Sequence, residues 1–184
     1  MLYVALAFFS TPSNAQVDTH SKNKKSNWIE LQGTTSAPKI QEKIQAFKDS
    51  KTVAATVMFV YSIKTDPPRD EPEFIDYACK YPTSDARQIS ELEDIVRSSK
   101  LTADSNSLGV VTPVAAIYLK FSNNQKLKII INNSFSSNDP LVAGVIDDDL
   151  VIMDSRIVRN LYRWAGHTGI KTYCDELINK YGKK

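Results

Sequence analysis

VAAIYLKFSNNQKLKIIINNSF, residues 114–135, decides the fold. Residues 114–122 and 126–135 are rich in β-branched and aromatic side chains and flank Asn123-Asn124-Gln125. Asparagine tolerates positive φ better than most residues, so the pattern predicts a hairpin without glycine. The next segment repeats it. Residues 141–146 and 150–153 flank Asp147-Asp148-Asp149, a second hairpin tip. Four strands joined by tight turns predict an antiparallel meander.

Outward from the meander, the periodicity changes. On the N-terminal side, residues 53–63 (VAATVMFVYSI) read as a buried strand. Before it, Ser36 as N-cap and Pro38 in the first turn open a helix whose apolar face is Ile40, Ile44 and Phe47. Between strand 53–63 and the meander, Thr83 or Ser84 caps a second helix with the stripe Ile89, Leu92 and Val96, widened by Ile95. Residues 102–109 read as a loop. Beyond the meander, Asp154 or Ser155 caps a helix with inner face Ile157, Leu161 and Trp164, ending near Gly166. A last helix carries Ile170, Cys174, Leu177 and Tyr181 on one face and stops at Gly182. The fold class is therefore α+β: a curved antiparallel sheet of about four to five strands, with helices packed on one face.

Hydrophobic content of 42% and charged content of 24% suit an ordinary globular core, and the length suits a single domain over residues 33–184. A net charge of +2 argues against bulk attraction to nucleic acid or a membrane surface. Residues 2–9 are apolar, Pro12 breaks the run, and Ser13-Asn14-Ala15 supplies small residues. Together they read as a signal peptide over 1–15, with a flexible, lysine-rich lead-in over 16–32. Met1-Leu2-Tyr3 lacks the positive side chain of an n-region, so a truncated start stays open. The apolar run falls far short of the roughly 20 residues that a spanning helix needs, so no transmembrane span is expected. The expected location is periplasmic or secreted.

Cys79 and Cys174 are the only cysteines, and in an oxidising compartment an even pair reads as a disulfide. The competing reading is a secreted hydrolase with a Cys79 thiol beside His167, oriented by Asp154 or Asp175. His20 lies in the lead-in, so any histidine mechanism rests on His167. No G-x-S-x-G, H-E-x-x-H, Walker or G-x-G-x-x-G pattern occurs. No cofactor is called for, and no metal either, since the Asp147–149 run lacks calcium-loop spacing.

Three surfaces are candidates for partner contact. Residues 66–73 form a proline-stiffened, charged loop carrying Asp66, Arg69, Asp70 and Glu71. The second hairpin tip presents Asp147, Asp148 and Asp149. Arg156, Arg159 and Arg163 recur at i, i+3, i+7 on one helix face, a stripe suited to an acidic partner, an anion or a glycan. The expectation is a small exported, non-enzymatic binding protein of inhibitor or immunity type that acts on a protein partner in the envelope or extracellular space.

Overall fold

A computed structural model describes residues 37–60, 71–103, 113–132 and 140–182. The signal and lead-in readings, the Ser36 cap and most of loop 66–73 fall outside these residues, as do 61–63, 104–109 and 133–135. In chain order the elements are α1 (Ala37–Asp49), β1 (Thr52–Val60), α2 (Glu71–Tyr77), β2 (Ala78–Thr83), α3 (Ala86–Ser98) and β3 (Thr102–Ala103). They continue with β4 (Pro113–Phe121), β5 (Lys126–Asn132), β6 (Leu141–Ile146), β7 (Asp149–Asp154), α4 (Arg156–His167) and α5 (Asp175–Tyr181).

The fold is α+β, and every strand pairing is antiparallel. The sheet is open, in the order β2-β1-β4-β5-β6-β7-β3, and so has seven strands where four to five were expected. The two additions are its edges. β2 is a six-residue strand in a stretch to which the sequence assigned no element. β3 is a two-residue bridge in a stretch read as loop. Both lack a periodicity of their own and are strands because a neighbour offers a free edge, Met58↔Lys80 for β2 and Ala103↔Val151 for β3. Both expected hairpins form, with Asn124 and Asp147 at positive φ in the turns.

Alternation along the strands separates two faces. Val57, Phe59, Tyr81, Ile117, Leu119, Ile129, Ile131, Val151 and Met153 meet the apolar stripes of α1, α3 and α4 in one buried cluster. Ile40, Leu92 and Leu161 are fully buried there, and Trp164 nearly so, its Nε1 donating to the Gln88 carbonyl at 2.8 Å to tie α4 to α3. The opposite face holds a smaller cluster of Met58, Ala116, Ile130, Val145 and Leu150 around the fully buried Phe74 of α2. Helices therefore lie on both faces rather than one.

Helix α2 falls partly in the segment read as an irregular proline loop. Pro72 is its second residue, where a missing N–H leaves no hydrogen bond unmade, so proline there fits a helix start. The α3 cap is Asp85, whose carboxylate accepts from Gln88 N at 2.9 Å, while Thr83 Oγ1 supports Asp85 N. The last helix is shorter than its sequence pattern. It begins at Asp175 after a turn in which Thr172 Oγ1 accepts from Cys174 N. Cys174 and Ile178 therefore face inward, and Tyr181 is 42% exposed instead of buried.

Candidate functional site

The cysteines meet as expected. Cys79 on edge strand β2 and Cys174 at the start of α5 form a disulfide with Cα atoms 6.1 Å apart. Phe59, paired with Cys79 across β1 and β2, stacks on Tyr162 at 4.6 Å, and Tyr162 stacks on Tyr181 at 5.8 Å. Tyr81 meets Phe59 edge-on, and its hydroxyl lies 2.5 Å from Thr172 Oγ1. Burial pushes the Tyr162 hydroxyl up to about 12, and burial also raises that of Tyr81, so both remain neutral phenols.

Two further tyrosines flank the cysteines in sequence, Tyr77 before Ala78-Cys79 and Tyr173 before Cys174. They are 63% and 61% exposed, and the Tyr173 hydroxyl donates to the Tyr77 carbonyl. The disulfide thus joins the two segments that carry these exposed rings, and the Tyr173 hydroxyl is tied to the backbone of the other segment. Exposed tyrosines on braced segments lose little rotamer entropy on contact, a property of interface anchors. Tyr77 lies on the outer side of α2, whose inward residue is Phe74.

The residues singled out in the sequence fall into different settings. Cys79 is 2% exposed and bonded, so the thiol needed by a Cys79/His167 hydrolase is consumed, while His167 is exposed at the end of α4. The three consecutive aspartates diverge. Asp149 is buried, with Lys39 Nζ 2.6 Å from Oδ1 and Lys43 Nζ 2.8 Å from Oδ2. Burial alone would raise its carboxyl, and the two ammonium groups outweigh that and hold it below the usual carboxylate range. Asp147 accepts from Lys128 N at 3.0 Å and pairs with Lys43 at 3.1 Å. Asp148 alone of the three is exposed.

The arginine stripe is unevenly available. Arg156 grips Asp154 in a bidentate fork, with Nη2 2.5 Å from Oδ2, and this holds the Asp154 carboxyl down at about 2. Asp154 also accepts from Arg156 N, caps α4 and leaves Ser155 without a capping role. Arg159 is exposed, and Arg163 is exposed beside Asn160. Of the four candidates in the 66–73 segment, Glu71 falls within the described residues: it accepts from Tyr118 at 2.8 Å and pairs with Lys128 at 2.7 Å.

Sequence reasoning passed over another surface. On the face carrying α2, Ala54, Thr56, Tyr118, Lys120, Lys126 and Lys128 surround an open depression of about 500 Å³. Its signal was present in the alternation of IYLKF and KLK, which places Tyr118, Lys120, Lys126 and Lys128 on one side once the turn fixes the register. Among the described residues, no group of three metal-ligating side chains converges, and no helix is long and apolar enough to cross a membrane. Comparison with protein-family models, with curated proteins and with solved structures gives no match.

Proposed function

We propose that the chain is a small exported, non-enzymatic binding protein of the inhibitor or immunity type, docking a protein partner in the periplasm or outside the cell. The observation that carries this reading is the exposed pair Tyr77 and Tyr173, held beside a buried disulfide. Exposed aromatic rings on braced segments suit the centre of a protein interface. The disulfide suits an oxidising compartment, which export through the leader expected over residues 1–15 would supply. Asp66, Arg69 and Asp70, which precede α2 in sequence, are assigned to the same partner contact. Asp148 and the pair Arg159 and Arg163 are secondary contacts on a curved sheet with its packed helices.

The test uses the mature, disulfide-bonded chain as bait in an envelope extract of its host. One stoichiometric partner is expected. A Tyr77→Ala/Tyr173→Ala variant of unchanged melting temperature should lose it, with an affinity drop of at least about 30-fold, or 2 kcal/mol, for two anchor residues. An Arg159→Ala/Arg163→Ala variant should retain most of the binding. Capture that is indifferent to the tyrosines, or lost only with the arginines, would refute the reading.

A further inference from the structure

Lys120 and Lys126 are direct cross-strand partners near the end of the β4–β5 hairpin. Like charges at directly opposed positions destabilise a sheet, and β-carbons there stand roughly 5 Å apart. Both side chains are exposed, and neither forms an ion pair among the described residues. Their neighbour Lys128 differs, since Glu71 reaches across from α2 to neutralise it at 2.7 Å. The same carboxylate accepts from Tyr118, which fixes one wall of the depression. At the margin, Asp147 is occupied by Lys43 and by the Lys128 backbone N–H. The small residues Ala54 and Thr56 open the space between these groups. Two lysines thus occupy directly opposed positions on the rim of a depression that Thr56 also lines, with no carboxylate paired to either among the described residues.

We propose that this depression binds the phosphate group of a small ligand, with Lys120 and Lys126 bracketing one tetrahedral oxyanion. Lysine recognises phosphate as a point charge, and two opposed side chains reach opposite edges of one such group. The Glu71 carboxylate keeps Lys128 out of the anion site and sets its boundary. This site is separate from the tyrosine pair and does not depend on a protein partner.

Calorimetric titration of the disulfide-bonded protein with inorganic phosphate and pyrophosphate at low ionic strength tests the proposal. Binding is expected, tighter for pyrophosphate. Lys120→Gln should weaken it about tenfold, and Lys120→Gln/Lys126→Gln about a hundredfold, because each removes one charge-assisted contact. The double variant should melt at the same or a higher temperature, since a repulsion is relieved. An Arg159→Gln/Arg163→Gln control should bind as the parent does. Vesicles containing phosphatidylglycerol form a second arm. Binding to them alone, lost in the lysine variants, assigns the phosphate to a lipid headgroup rather than a free ligand. Affinity unchanged in the lysine variants, or lost equally in the arginine control, overturns the proposal. So does binding of poly-L-glutamate with no response to any phosphate probe, which would give the face to an acidic polypeptide.

Discussion

At the residue scale, Asp149 shows how neighbours outweigh sequence. Three consecutive aspartates look alike in the chain, yet one is buried between two lysines of α1, one braces a turn and one is free at the surface. A carboxylate whose folded-state pKa is depressed adds stability above the unfolded-state value, near 3.9, and loses it as pH falls through the folded value. Unfolding free energy should therefore hold steady from about pH 7 to about pH 5 and fall below about pH 4. Asp149→Asn should cost about 1–2 kcal/mol at neutral pH and flatten that acid decline. Urea titrations of both proteins across this range check it, and parallel declines would remove Asp149 as the source. Asp154 is also depressed, but its fork with Arg156 lies at the surface, so it adds little to the acid limb.

At the element scale, strand β6 depends on one glycine. A β-carbon at Gly144 would stand 2.4 Å from the Ile130 carbonyl oxygen and 2.6 Å from Met153 Cε. The methionine tip can move aside, whereas the β5 backbone cannot move without disturbing its pairing with β4. Gly144→Ala should destabilise the protein by about 1–3 kcal/mol, the usual cost of overpacking a core. Thermal melts of parent and variant decide it, and an unchanged midpoint would mean that β5 and β6 separate freely. The elements legible in sequence were those with strong periods of their own. Ile89, Leu92 and Val96 mark α3, Ile157, Leu161 and Trp164 mark α4, and the alternating runs about 123–125 and 147–149 mark two hairpins. The shorter elements α2, β2 and β3 were not legible, because their form depends on docking Phe74 and on pairing with β1 and β7.

At the scale of the molecule, the chain visits both edges of the sheet before filling its middle. β2 forms one edge, α3 crosses a face, β3 forms the other edge, and β4 returns to the centre. The disulfide closes this path across 95 positions, joining an edge strand to the last helix. Loop entropy gives such a link roughly 4–5 kcal/mol as an upper figure. A Cys79→Ser/Cys174→Ser variant should lose most of that, with a clear drop in urea midpoint that reductant reproduces in the parent. Equal midpoints would show that the edge strand and α5 are held by packing alone. The sequence by itself determined the class of the fold, the two hairpins, the helices with an apolar stripe and the cysteine pairing. Each of these rests on local period, on turn chemistry or on there being one cysteine for another to pair with. Only the tertiary structure decided which charges stand unopposed and which tyrosines stand outside. Lys126 opposes Lys120 only through a strand register, and Tyr173 meets Tyr77 only after α5 docks beside β2. Exposure and charge pairing are properties of what lies opposite, and residues distant in the chain supply that.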